Sequence, residues 1–158
     1  MKVIFLDLNG VLDTYEEMNV ANPSNLQRLK QIVVETGSKV VISSSLKNSY
    51  YYLGGRFCET LTNFIEEIEN VGIEIIDITP KGKNREEEIS MYLDLHPEIE
   101  NFCIIDDDYD MEKFSGHMVK LVCQSDPSSI GLDDYHMNMA ISILNRNNKK
   151  LAKEYNKN

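Results

Sequence analysis

The chain has 158 residues, 42% hydrophobic and 27% charged, the balance of one soluble globular domain over 1–158 with enough length to bury a core. A net charge of −10 excludes a uniformly basic surface for gripping nucleic acid, though not an enzyme that works at a nucleic-acid end. No apolar run approaches the ~18 residues of a membrane span and no signal-peptide layout is seen, so the cytoplasm is the expected compartment and no membrane partner is expected.

Lys2-Val3-Ile4-Phe5-Leu6 has the chemistry of a strand and runs into Asp7, with Asn9 two positions on. Asn9-Gly10 between apolar residues signals a type I′ hairpin turn. Asp7 at the carboxyl end of a strand equally suits a nucleophile, with position 9 handling the proton. Asp13 to Asn22 is polar and reads as a loop or short flap. Pro23 fits a first helical turn, and Leu26, Leu29, Ile32 and Val33 recur at helical spacing until Gly37. Lys39-Val40-Val41-Ile42 is a short buried strand, closed by Ser43-Ser44-Ser45. Strand, helix, strand without hairpin spacing predicts parallel pairing.

Leu46 to Gly55 reads as a loop whose consecutive Tyr50, Tyr51 and Tyr52 cannot all face a core; they suit a site rim or a loop anchor. A helix is predicted from about Cys58 to Val71, and a third strand over Ile73-Glu74-Ile75-Ile76. Thr79 to Arg85 is a basic loop in an acidic chain, with Asn84 as cap for a helix over Arg85 to Leu95. His96 is read as a helix-end residue rather than a catalytic base. Phe102 to Ile105 is a buried strand ending in Asp106-Asp107-Asp108, with Asp110 beyond. Val119 to Val122 is a fifth strand, Asp133 to about Leu151 a closing helix, and the polar tail from Asn145 is expected to fray. Cys58, Cys103 and Cys123 form no CxxC pair, so neither zinc nor a disulfide framework is signalled; Cys103 and Cys123 are expected in the core. The repeated β-α order predicts a three-layer, doubly wound, Rossmann-like α/β domain with a mostly parallel five-stranded sheet.

Parallel strands bring their carboxyl ends to one edge, so Asp7 with Asn9, the serine triplet and Asp106-Asp107 should converge there, beside the Lys81/Lys83/Arg85 loop. A carboxylate nucleophile can accept a phosphoryl group. Carboxylates crowded near a phosphate need a divalent cation, and Mg²⁺ suits an all-oxygen site. Hydroxyls and a lysine can hold and neutralise phosphate oxygens. The parts describe phosphoryl transfer.

With these residues in place, the sequence resembles the haloacid dehalogenase (HAD) superfamily of phosphohydrolases. The four short motifs occur in order: Asp7 to Leu12, Val40 to Ser44, the Lys83 region, and Ile104-Ile105-Asp106-Asp107. More narrowly it is similar to the HAD domains of "Swiss army knife" RNA-repair proteins, through Lys39 to Ser45, Arg85 to Ile89, Ile104 to Met111 and Gln124 to Pro127. The resemblance implies that Asp7 is nucleophile and metal ligand. Position 9 would be general acid and base, with its carbonyl on the metal. Ser43 or Ser44 would hold phosphate, Asp106 and Asp107 would complete the Mg²⁺ site, and Asp110 is a weaker candidate. Lys83 is the chosen cation for charge neutralisation and phosphate binding, with Arg85 and Lys81 as alternatives.

One departure matters: the second Asp of the first motif is Asn9 here. An amide cannot give or take the proton, and general acid–base help is typically worth ~10²–10⁴-fold, so this form should be slow or trapped. An introduced change that traps an intermediate, a natural phosphate-binding form, and a proton from another group all fit. The intact remainder favours the first. Only about 30 residues separate Leu12 from Ser43, so no cap domain is inserted and the site should be open. An open site suits a phosphate on a large substrate, such as an RNA or DNA end, or a nucleotide. A phosphatase of small metabolites or phosphoproteins, and a non-catalytic phosphate-binding module, are the alternatives.

Overall fold

Val3, Phe5, Val41 and Ile104 point one way from the sheet and Ile4, Leu6, Ile42 and Ile105 the other, all fully buried, and this two-sided burial dictates the layers. In the computed structural model, which describes residues 1–108 and 110–146, the strands are β1 (Lys2–Leu6), β2 (Lys39–Ile42), β3 (Ile75–Ile78), β4 (Asn101–Asp106) and β5 (Met118–Lys120). They form one sheet in the order β3-β2-β1-β4-β5, every neighbouring pair parallel. Helices α1 (Pro23–Thr36), α3 (Glu59–Asn70) and α5 (Asp134–Leu144) contribute to the core on one face. Helix α4 (Arg85–Leu95) and a 3₁₀ segment at Glu112–His117 cover the other, where Ile89, Tyr92 and Phe114 pack on Phe5 and Phe102. The doubly wound α/β fold is as predicted, with the sheet parallel throughout.

Local signals account for the element ends. Asn22 accepts backbone N–H groups of Ser24 and Asn25 at the start of α1, and Gly37 closes that helix with φ of 69°. Asn84 accepts the N–H of Glu87, so α4 starts at Arg85 as expected. His96 is the C-cap of α4 and stacks on Tyr92. No described helix is long and apolar enough to cross a membrane.

Several expectations are corrected. The third strand pairs over Ile75–Ile78, two residues later than predicted, because Ile73 is drawn beneath the end of α3, its N–H donating to the Ile68 carbonyl. The fifth strand is Met118–Lys120 rather than Val119 to Val122, and Val122 is exposed. The predicted loop at Leu46 to Gly55 holds a 3₁₀ turn (Ser45–Asn48) followed by the short helix α2 (Ser49–Tyr52). The helix predicted over Cys58 to Val71 is the slightly shorter α3, with Cys58 at its N-cap. Cys103 is buried as expected, but Cys123 lies past the sheet, half-buried beside Ser125. The closing helix runs from Asp134 to Leu144 and ends with Asn145 as its C-cap, short of the predicted Leu151; residues 147–151 and most of the tail expected to fray lie outside the described residues.

Asn9-Gly10 makes no hairpin among the described residues. The Val11 N–H donates to the Leu8 carbonyl, and of the two central residues only Gly10 has positive φ, at 80°. That is the backbone of a type II turn; type I′ needs positive φ at both. The strand beyond it never forms, and turns occupy the segment up to α1.

Candidate active site

The sheet order reverses beside β1, since β2 and β3 extend one way and β4 and β5 the other. A crevice at the carboxyl ends of β1 and β4 follows from that topology. The Asp7 N–H donates to the Ile105 carbonyl and the Ser43 N–H to the Leu6 carbonyl, so the ladder carries on past the strand ends and fixes both residues in line. Parity does the rest. Asp7 continues the Val3/Phe5 side, Ser43 the Val41 side and Asp106 the Phe102/Ile104 side, all toward the face that α4 covers.

Asp7, Asp106 and Asp107 are all buried, and one oxygen from each lies within 4.8 Å of the others. Arg85, the first residue of α4, reaches into this group. Its Nη1 is 2.7 Å from Asp106 Oδ2 and 3.7 Å from Asp7 Oδ1. Asp7 Oδ1 also accepts the Leu8 N–H at 2.9 Å. Burial pushes the Asp7 carboxyl well above the ordinary carboxylate range; the Asp106 charge adds to that rise and Arg85 opposes it. Among the three predicted cations the structure brings Arg85, not Lys83, to the carboxylates. Lys83 and Lys81 are exposed, because the loop turns outward before the Asn84 cap swings the next residue inward. Asp110 is also exposed and pairs with Lys120 at 3.5 Å, apart from the cluster.

The two serines have different surroundings. Ser44 accepts the Leu46 N–H at 3.2 Å and caps the 3₁₀ turn. Ser43 is fully buried, and its Oγ has no hydrogen-bond partner among the described residues. A buried hydroxyl without a partner is costly, and this one sits beside Asp7 at the edge of the sheet.

Asn9 is seated by its neighbours. Its Nδ2 donates to Asp13 Oδ2 at 2.8 Å and to Asn19 Oδ1 at 2.9 Å. Asp13 is itself fully buried and also accepts the Gly10 N–H, the Asn19 N–H and Gln124 Nε2, at 2.6 to 2.8 Å. Gln124 ties this turn to Asp107, whose Oδ2 accepts the Gln124 N–H at 2.8 Å. Gly10 is required here: a Cβ at that position would fall 2.0 Å from Asp107 Oδ2. On the other flank Lys47, also buried, donates to Glu88 Oε2 at 2.5 Å and to Thr79 Oγ1 at 2.9 Å. Burial pulls the Lys47 ammonium below the ordinary lysine range, with Glu88 acting against it. Glu88 Oε2 lies 3.9 Å from Arg85 Nε, which links the two cations through one carboxylate.

Asp13 and Lys47 carry only a weak signal in the sequence, a lone Asp and a lone Lys each just past a strand-end motif; Gln124 and Glu88 fall within the segments Gln124 to Pro127 and Arg85 to Ile89 that carry the resemblance, with no individual role marked. The donor set at Asp7, Asp106 and Asp107 is all oxygen and carries more negative charge than Arg85 offsets, which fits a hard divalent cation such as Mg²⁺.

Comparison with curated proteins and with solved structures gave no significant match. The model of one family matches residues 3–136, from β1 into α5, and so includes every residue of the carboxylate cluster. The chain therefore belongs to the HAD domains found in Swiss Army Knife RNA repair proteins.

Proposed function

We propose that this domain is a phosphatase of the HAD type, Mg²⁺-dependent, hydrolysing phosphomonoesters of nucleic-acid ends or nucleotides through an aspartyl-phosphate on Asp7. The observation that carries the reading is the meeting of Asp7, Asp106 and Asp107 within 4.8 Å at the sheet's switch point, with Arg85 against them. An Asp7 oxygen would bond to phosphorus as the bond to the leaving oxygen breaks. Water would then attack phosphorus, release inorganic phosphate and return the carboxylate. Arg85 holds positive charge at Asp7, and Ser43 offers for a phosphate oxygen a hydroxyl that has no partner among the described residues. A divalent cation on the three carboxylates would offset their charge and that of the phosphoryl group. RNA is suggested by the family's name, and an uncapped edge leaves room for a large substrate.

Asn9 cannot protonate the leaving oxygen, and this favours a second reading, a phosphate-binding module with little turnover. The snug seating of Asn9 by Asp13 and Asn19 favours a natural Asn over an introduced one. Simple reversal to Asp would set two carboxylates about 2.8 Å apart, where they share a proton instead of serving the substrate. The decisive variant is therefore the double exchange Asn9→Asp with Asp13→Asn. Mg²⁺-dependent phosphate release from a 5′- or 3′-phosphorylated oligonucleotide should rise ~10²–10⁴-fold over the parent chain and vanish when Asp7→Ala is added. If the double variant binds Mg²⁺ and stays inert on oligonucleotides, nucleotides and phosphopeptides alike, the binding module is the right reading.

A further inference from the structure

A cavity of about 190 Å³ opens past the carboxyl ends of β2 and β3, joined to the carboxylate cluster through Lys47, Glu88 and Arg85, and the phosphatase chemistry above makes no use of it. Lys47, Tyr50, Tyr51, Phe57, Thr79 and Lys81 line it. Its position is set by the fold: Thr79 follows β3, Lys47 follows β2, and the tyrosines sit on α2. Lys47 is the shared wall, since its ammonium meets Glu88, and Glu88 meets the Arg85 that faces Asp7. The volume is below the ~300–1,000 Å³ of pockets that engulf a drug-sized molecule, so it suits one planar ring system.

The lining has the chemistry of a ring platform. Tyr50 packs against Tyr51 edge-on and against Phe57 at a tilt, which holds an aromatic wall in place. Lys81 Nζ lies 4.7 Å from the centre of the Tyr51 ring, a cation–π contact that orients the ring and leaves a positive charge at the rim. Tyr51 is nonetheless 60% exposed, so ring surface remains for a ligand. Exposed aromatic faces cost solubility with no folding gain, and in a chain of net charge −10 the exposed Lys81 puts a positive charge at this rim, suited to an anion that carries a ring.

We propose that this cavity is a nucleobase subsite, which stacks the base of the terminal nucleotide on Tyr51, against the Tyr50–Phe57 wall, while its phosphate lies at Asp7. The inference rests on the reading of Asp7 as the phosphate site. Stacking of one base on an aromatic side chain is sequence-tolerant and worth roughly 5- to 150-fold in affinity. The subsite therefore selects nucleotide ends over bare sugar phosphates without choosing among bases.

The test uses the full chain with Mg²⁺ and three probes: adenosine 5′-monophosphate, ribose 5-phosphate and a phosphotyrosine peptide. Calorimetric titration should show the nucleotide binding about 10-fold tighter than ribose 5-phosphate. Tyr51→Ala should shrink that ratio to within about twofold, and Tyr51→Phe should preserve it, since stacking needs the ring and not the hydroxyl. Stacking should also shift the adenine H2 and H8 resonances upfield with Tyr51 present and not with Tyr51→Ala. Equal affinity for the two sugar phosphates, a ratio unaffected by Tyr51→Ala, no binding of the nucleotide, or tighter binding of the phosphotyrosine peptide would each overturn the proposal. Failure of the phosphatase reading looks different: the Asn9→Asp/Asp13→Asn chain would release no phosphate from any ester, yet the nucleotide preference and its loss in Tyr51→Ala would persist.

Discussion

The two flanks of Asp7 are built on opposite principles. On the β4 side, the turn after β1 is saturated: the buried Asp13 carboxylate takes four donors, and Gln124 ties that turn to Asp107. On the β2 side, Ser43 Oγ is without a partner among the described residues, Tyr50 and Tyr51 stand exposed, and a cavity opens between them and Lys81. One flank fixes a geometry and the other leaves groups uncommitted. A site that must hold carboxylates within ångströms of one another and still admit a substrate needs both. The difference also says where substitutions should hurt, and in what way.

The largest effect on rate is expected on the saturated flank. Gly10→Ala forces a methyl group to within 2.0 Å of Asp107 Oδ2 and strains a φ of 80°. Displacing Asp107 by about 1 Å should cost ~10²-fold in phosphate release, measured in the Asn9→Asp/Asp13→Asn chain. Gly37→Ala is the control. It has a φ of 69° and nothing among the described residues within 4 Å of the added carbon, so it should lose about 1 kcal/mol of stability and no rate. Equal rates for Gly10→Ala and its parent would mean that Asp107 is not held as tightly as the contact implies.

The next effect probes the boundary between the flanks. Lys47→Met removes the cation from a buried pair and leaves Glu88 with the Gly82 N–H and a distant Arg85. Removing one member of such a pair typically costs about 3–5 kcal/mol, and the remaining partners put the expectation at ~3 kcal/mol by urea denaturation. Adding Glu88→Gln should recover a good part of it, because the stranded charge is gone. No recovery would place the role of Lys47 in packing rather than in charge.

What the sequence revealed divides along the same line. Helices α1 and α4 were readable almost to the residue, since Pro23, Gly37 and Asn84 mark their ends chemically. Strands β1, β2 and β4 were readable because two-faced burial makes them continuous apolar runs. The β3 register was not, as Ile73 to Ile78 alternates well enough to pair in either of two frames and only the packing of Ile73 on α3 decides. Asp7, Asp106 and Asp107 announced themselves as strand-end carboxylates. The choice among Lys81, Lys83 and Arg85 was open in a string of cations; it follows from the helix cap, because the residue after Asn84 enters the covered face. The Asp13–Gln124 contact joins residues 111 apart in sequence, and no local pattern encodes it.

The smallest effect concerns the carboxylates that the two flanks enclose. Burial and Asp106 raise the Asp7 pKa above its ordinary value of 3.8, so the folded chain holds this proton more tightly than the unfolded chain does. The contribution to stability is then fully present below the unfolded value and is lost as pH rises through the folded one. Without divalent metal, the melting temperature of the parent should fall by a few degrees relative to Asp7→Asn as pH rises from the acid side toward neutrality; the Asp126 and Asp133 carboxyls, held below the ordinary range, act the other way equally in both. Mg²⁺ favours the ionised carboxylates, so its stabilisation should be slight in acid and grow with pH, as binding displaces the proton. Parallel melts with Mg²⁺ and with a chelator, on the parent and on Asp7→Asn, separate this from the general repulsion of an acidic chain, which both proteins share. A Mg²⁺ shift that is the same at every pH, or the same in Asp7→Asn, would mean that the cation is held elsewhere than at Asp7.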